Sequence, residues 1–267
     1  MFQLNNLIAA NFALLVVALF LVALALEALS PATALTESIG RRWWRNFGLG
    51  LVDNVANRGL GVVLSGSIAV AAAKENIGLL NLLAWSDGLA FVVGLLILDF
   101  KAWVFHWAAH HIPWLWKFHQ IHHCDTNMDV STSFRFHPVE SVIAGAVTVL
   151  VILALGIPAE ALVLRAVAVY AANLFSHANV TLPAGLDGAL RLIVVTPGMH
   201  RIHHAPSAED ANSNYGNVFS CWDRLFSSYR RVPSAGAGSL AVGLDVLPDA
   251  RALGLWDLLV LPFRRRA

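Results

Sequence analysis

Four groups of histidine carry the chemistry this sequence can do: His106-Trp-Ala-Ala-His110, His119-Gln-Ile-His122-His123, His177, and His200-Arg-Ile-His203-His204. Residues three and four apart share a helix face, so each multiple cluster aims two or three imidazoles at one place. Neutral imidazole is a good donor to zinc, copper, iron or nickel, whereas magnesium or calcium calls for carboxylate oxygen. These nine histidines are too many for one first-row ion of about four to six ligands, so two ions is the natural count.

The elements that must hold these side chains are read from composition. Hydrophobic residues make up 57% of the 267 residues and charged ones 13%, with a mean hydropathy of +0.64. A soluble domain carries about 25% charged residues, so the excess apolar surface needs lipid. The expected fold is all-α: a polytopic membrane helical bundle under a cytoplasmic, histidine-rich metal cap. A net charge of +1 says nothing about nucleic acid, but the lack of a phosphate-gripping basic block speaks against it as a partner. Cys124 and Cys221 are too few for a disulfide framework or a four-cysteine iron–sulfur centre and read as free thiols.

Apolar stretches at about 7–29, 48–73, 89–105, 142–155 and 159–176 are expected to be membrane helices within a single domain. The first follows an N-terminus without the positive region of a signal peptide and reads as a retained helix. The last two form a hairpin around Gly156-Ile157-Pro158. Arg41, Arg42 and Arg45 follow the first helix and Arg264-Arg265-Arg266 close the chain, while the loop before the third helix offers Lys74 offset by Glu75. The positive-inside bias places the arginine-rich segments in the cytoplasm. Counting crossings then brings 106–137 and 177–231 to that same side, and all 11 histidines lie in these two segments. Residues 186–195 and the tail 248–267, with Leu253, Trp256 and Leu259 on one face, are expected to lie at the membrane interface.

Around the histidines stand Asp99-Phe100, Pro113-Trp114-Leu115-Trp116-Lys117-Phe118, Arg135-Phe136-His137-Pro138-Val139-Glu140, His177-Ala178-Asn179-Val180, Thr196-Pro197-Gly198-Met199, Asn214-Tyr215-Gly216 and Trp222-Asp223-Arg224-Leu225-Phe226. With these motifs the chain, from about Arg41 to Arg231, resembles the fatty acid hydroxylase superfamily, most closely its sterol desaturase branch of membrane di-iron oxygenases. The motifs are specific to the family and far less so to a substrate. The resemblance implies that His106, His110, His119, His122, His123, His177, His200, His203 and His204 are the metal ligands. Asn173 stands where some members carry a further histidine and is open to two readings, a weak or water-mediated ligand or a helix-packing residue. The first box departs from the common His-Arg with His106-Trp107, and Gly198 stands where an acidic residue often precedes the last box.

Three further polar residues are weighed on their own. Asp99 lies two helical turns before His106 on nearly the same face, so it either accepts the free N–H of a ligating imidazole or meets water at the cytoplasmic helix end. His137 is expected to serve a structural or indirect role at the centre. His111 points away from His110 and reads as a surface residue. Asn214-Tyr215-Gly216 is expected to be a turn with its glycine at positive φ, and Trp222-Asp223-Arg224 an anchor of the cap.

The resemblance implies two iron ions that use dioxygen to hydroxylate a C–H bond of a membrane lipid. It also implies an external electron donor, a ferredoxin or a cytochrome b5-like protein, since no cofactor-binding motif for electron supply is evident in the sequence. Two alternatives stay open at this point: a lipid or sterol desaturase with the same ligands, and a zinc-binding or metal-handling membrane protein without oxygenase activity.

Overall fold

The computed structural model describes residues 2–57, 62–83, 85–234, 236, 241–247 and 250–264, with side chains from 11 onward except at 62 and 63. Among these residues the fold is helical, and its only β pairing is two isolated bridges, Pro31 with Val180 and Val194 with Phe219. In chain order the helices are α1 (Phe2–Leu29), α2 (Ile39–Asn57), α3 (Val62–Lys74), the one-turn α4 (Leu79–Leu82), α5 (Asp87–His111), α6 (Pro113–His123), α7 (Pro138–Leu155) and α8 (Ala159–His177). The short helices α9 (Ala184–Leu190), α10 (Pro197–His203), α11 (Ala208–Ala211), α12 (Cys221–Leu225) and α13 (Leu255–Val260) follow.

Four helices among the described residues are long and apolar enough to cross a membrane: Asn11–Leu29 within α1, then α5, α7 and α8. Leu14, Val17, Leu21 and Val22 on α1 and Leu89, Val92 and Leu96 on α5 point outward, as lipid-facing helices require. The stretch 48–73 is divided. Its first part belongs to α2, whose Arg42, Arg45 and Asn46 are buried against the cap. Its second is the 13-residue α3, and 58–61 lie outside the described residues. The polar residues of α2 explain the division, because they bond to protein rather than face lipid.

The ends of these helices are fixed locally. The Ser86 hydroxyl accepts from Leu89 N to start α5. Pro113 at the first position of α6 turns the chain sharply after Ile112. Imidazole Nδ1 of His137 accepts from Val139 N to cap α7, which stops at Gly156 in the left-handed region, φ 68°. The Thr196 hydroxyl accepts from Met199 N to start α10.

These boundaries sort the molecule into two ends. At one, Gly78 packs directly on the backbone of Gly156. At the other stand the C-termini of α1, α5 and α8 and the N-terminus of α7. There Glu27 of α1 accepts from Val130 N and Asn179 N, at 2.6 and 2.7 Å. Every histidine-bearing segment is at this second end.

Two of the three arginines following α1, Arg42 and Arg45, are consumed inside the cap. Arg42 is fully buried and pairs with Asp129 at 2.6 Å and Asp125 at 3.2 Å. Burial opposes ionisation of Asp125, yet the charges of Arg42 and Arg135 overcome it and hold the carboxyl down at about 2. Arg45 pairs with Glu37. Asn46 and Arg135 complete the network by bonding each other, which ties α2 to the segment after α6. In the tail, Leu258 of α13 is buried with Leu49 and Ile121, and Leu253 and Leu259 pack on that cluster. Trp256 is left pointing outward. Residues 248, 249 and 265–267 of that tail lie outside the described residues.

Candidate metal centre

The nine clustered histidines converge into two groups whose donor atoms lie within 4.8 Å of one another. One group is His106, His110, His119, His123 and His203; the other is His122, His177, His200 and His204. Helical spacing explains the division. On α6 the i,i+4 pair His119 and His123 faces the first group, and His122, rotated off that line, faces the second. The last box does the converse, with His200 and His204 in the second group and His203 in the first. The two groups adjoin, since the His123 and His204 rings stack at 4.3 Å between centroids.

Hydrogen bonds set which nitrogen faces inward. Nδ1 of His106 donates to the Tyr215 carbonyl at 2.8 Å, and Nδ1 of His203 to that of Ser213 at 2.7 Å. Nδ1 of His122 donates to Arg135 O and Nδ1 of His177 to Asn173 O, at 3.2 and 2.8 Å. A carbonyl only accepts, so each Nδ1 carries the proton and each Nε2 keeps its lone pair for the interior. Nε2 of His177 sits 3.0 Å from that of His122 and 3.1 Å from that of His200. Nε2 of His123 sits 3.1 Å from that of His110 and 3.2 Å from that of His119. Nε2 of His106 and of His203 are buried with no hydrogen-bond partner. Burial first, and neighbouring imidazoles second, push His122, His123, His200 and His204 well below the usual histidine range. Burial brings His203 to about 3. Buried, neutral, inward-facing lone pairs with no protein donor to satisfy them fit a pair of metal ions, each with four or five nitrogen ligands.

Outside the ligands, Glu140 of α7 accepts from Nδ1 of His119 at 2.7 Å. Phe136 stacks on His122 at 4.4 Å, and Trp116 lies 5.0 Å from His110. A cavity of about 350 Å³ runs from His106, His119, His122, His177 and His200 down between α5, α7 and α8. Imidazoles of both groups thus line one space. Lys101 and Arg165 line it further down, inside the helical bundle. A charged arginine or lysine at the centre of a membrane helix costs about 2.5–3.5 kcal/mol on insertion scales, so both need a reason to be there.

Residues 91–228, which contain all nine grouped histidines, match the fatty acid hydroxylase family. The chain belongs to that family. Among known relatives of this fatty acid hydroxylase family member, an ornithine lipid hydroxylase of Rhizobium tropici is 29% identical over 182 residues, 68% of this chain and 53% of that protein. The alkylglycerol monooxygenase of Homo sapiens is 30% identical over 58% of this chain and 34% of its own length. That of Caenorhabditis elegans is 29% identical over 55% of this chain and 28% of its own. The chain therefore spans about half the length of the first relative and about a third of the others. No solved structure matches it.

Outside the nine grouped histidines, Asp99 and the Asn214-Tyr215-Gly216 turn sit differently from expectation. Asp99 does not accept from an imidazole among the described residues. Its oxygens take Val218 N, Phe219 N and the Trp222 indole N–H, at 3.3, 3.2 and 2.9 Å. The same stretch of chain presents the Tyr215 carbonyl to His106. In Asn214-Tyr215-Gly216 the left-handed residue is Asn214, φ 54°, and not the glycine. Gly216 is needed for space, because a Cβ would stand 2.8 Å from Val195 Cγ2 and 2.9 Å from Asp223 Oδ2. A Cβ at Gly198 would stand 2.5 Å from the Arg191 guanidinium, which pairs with Asp187, so a side chain there requires the end of Arg191 to shift. Asn173 lines the cavity, with its carbonyl on His177 and its side chain 3.5 Å from Asn217. His137 joins neither group and links the start of α7 to Leu259 O at 3.1 Å. His111 is exposed and stacks on Trp107. Asp223 anchors the cap through Trp103, Tyr215 N, Gly216 N and Ser228.

Sequence reasoning left Glu140, Lys101 and Arg165 unassigned. Glu140 was visible only as the end of the Arg135–Glu140 motif. The signal for the other two was available, since a charge within an apolar span asks for a function.

Proposed function

We propose that this chain is an integral membrane oxygenase that hydroxylates a C–H bond of a lipid, using two iron ions held by the nine histidines. The observation that carries the reading is the cavity lined by imidazoles of both groups and continuing into the helical bundle. A metal store needs buried ligands but no organic-sized space beside them. The relatives named as a lipid hydroxylase and as alkylglycerol monooxygenases support a lipid substrate. Bound iron supplies the activation of dioxygen that breaking an unactivated C–H bond requires and that no side chain provides.

The chain's own residues do the rest. The Tyr215, Ser213, Arg135 and Asn173 carbonyls hold four imidazoles in the tautomer that offers Nε2. Glu140 raises the donor strength of His119. Phe136 and Trp116 pack against ligand rings and limit water around them. Two electrons per turnover come from a separate donor, a ferredoxin or cytochrome b5-like protein. We place the cap in the cytoplasm, where that donor would dock. With Arg42 and Arg45 paired internally, this orientation is supported by exposed cations at the cap end, Arg41, Lys117, Arg231 and Arg251 among them, against Lys74 at the other.

The test is metal analysis of protein purified without oxygen, followed by oxygen uptake on adding a lipid extract and a chemical or enzymatic electron source. Two irons per chain with lipid-dependent uptake are expected. Stoichiometric zinc with no uptake would sink the proposal.

A further inference from the structure

We infer that Lys101 and Arg165 form an anion-binding floor to the cavity and select a lipid bearing a carboxylate or phosphate. The inference rests on the reading of this cavity as the substrate site.

Both cations line the cavity, and neither has a carboxylate within ion-pair distance among the described residues. Lys101 Nζ donates to Thr148 Oγ1 at 2.8 Å and to Ala144 O at 3.3 Å, which leaves one of its three protons uncommitted. Arg165 makes no hydrogen bond among the described residues, and its Nε is buried without a partner. The two face the same cavity from α5 and α8. Asp99 is the acidic group whose charge reaches Arg165, but both its oxygens are occupied by the loop at 218–222. Glu140, the carboxylate in the cavity wall, gives one oxygen to His119 at the metal end, and its other oxygen is buried without a hydrogen-bond partner, within ion-pair distance of neither cation.

Two like charges lining one cavity, neither paired with a carboxylate, are unfavourable unless something supplies negative charge beside them. An acidic ligand does so, and the guanidinium fork suits a carboxylate or phosphate in two-point contact. Position gives the ligand a direction. Gly94 of α5 packs against Ala161 of α8, so in these parallel helices Arg165 is level with about residue 98, one turn below Lys101. Helix rise then puts the two cations roughly 7 to 12 Å below His106. An anion held there sets the oxidised carbon several bonds away, in the part of the lipid near its acidic group.

The test is equilibrium binding to the purified full chain in neutral detergent. Phosphatidic acid is compared with diacylglycerol, and ionised palmitic acid with hexadecanol, with inorganic phosphate as competitor. Each acidic lipid is expected to bind at least about tenfold tighter than its neutral twin. K101M and R165M should lose most of that preference and R165K should keep part of it, all with the metal content of the parent. Replacing an uncompensated buried cation with methionine removes a desolvation cost, so these variants should fold. Equal binding of acidic and neutral twins overturns the inference. So does a preference that survives in the double variant, which puts the anion elsewhere. Phosphate binding without discrimination between the lipid twins also overturns it, leaving a small-ion site only. Binding is read without turnover, so this failure is distinguishable from failure of the oxygenase reading, which shows as missing iron or missing oxygen uptake.

Discussion

Glu140 Oε1 accepts the Nδ1 proton of His119 at 2.7 Å, across the packing of α7 on α6. Four of the other histidines in that group and the next use a backbone carbonyl for the same purpose, so among the described residues His119 alone is turned by a charged partner. A carboxylate makes its imidazole the more basic donor. Glu140→Gln keeps an acceptor and removes the charge. It is expected to lower metal affinity by roughly 10- to 100-fold while the fold persists. Metal retained after dialysis against a graded chelator measures this, and retention equal to the parent would remove Glu140 from the site.

His122 and His203 belong to different groups although each sits within a box that serves both. His122→Ala and His203→Ala should each drop metal content from two ions towards one and abolish activity. A variant that binds two ions and turns over normally would break the assignment of the nine ligands. Combining the two should leave little bound metal, because neither remaining set is complete.

The histidines were legible in the sequence because helical periodicity is local: i,i+3 and i,i+4 spacing carries both the face and the count. His177 stands alone, and it was legible only through the motifs around it. Which histidine joins which group depends on how α6 and α10 face each other, and no spacing encodes that. Arg42 shows the opposite failure. As a charge after an apolar helix it reads as a surface marker of membrane side, yet Asp125 and Asp129, more than 80 residues away, bury it completely. Asp99 was recognised as needing a partner, but its partners lie in a loop 119 to 123 positions away.

Asp99 holds three donors of that loop, and the loop positions the Tyr215 carbonyl against His106. Asp99→Ala leaves the Trp222 indole and two backbone N–H groups without their acceptor. At about 1–3 kcal/mol for each buried donor left unsatisfied, a loss of several kcal/mol is expected. Thermal unfolding in detergent should register a clear drop in Tm, accompanied by faster metal loss. An unchanged Tm would mean that water replaces the carboxylate without cost.

Orientation can be read with single cysteines on a background where the exposed Cys221 is replaced by serine. Lys117→Cys and Ala208→Cys, both exposed at the cap end, should react with a membrane-impermeant thiol reagent only when the cytoplasmic side is open. Asn76→Cys, exposed at the other end, should react from outside. The reverse pattern would invert the proposed placement. Labelling of Lys117→Cys and Ala208→Cys from opposite sides would separate the two histidine segments and contradict the fold itself.

Hydroxylation is the outcome we expect over desaturation, and the cavity supplies the reason. Inserting one oxygen needs one C–H bond near the centre. Forming an alkene needs two adjacent C–H bonds presented in order, which demands a close-fitting channel, since a misplacement of about 1 Å can cost roughly a hundredfold in rate. The wall of the space beside the histidines instead mixes apolar side chains, Phe105, Phe136 and Val169 among them, with the polar Asn173, Asn217 and Ser141 and the small Ala144 and Gly145. Such a wall can accept the polarity of an alcohol product and does not grip a methylene pair from both sides. Turnover under labelled dioxygen, with lipids compared between cells carrying and lacking the gene, should therefore yield a lipid heavier by one labelled oxygen. A product two hydrogens lighter and free of label would show that the same centre performs desaturation.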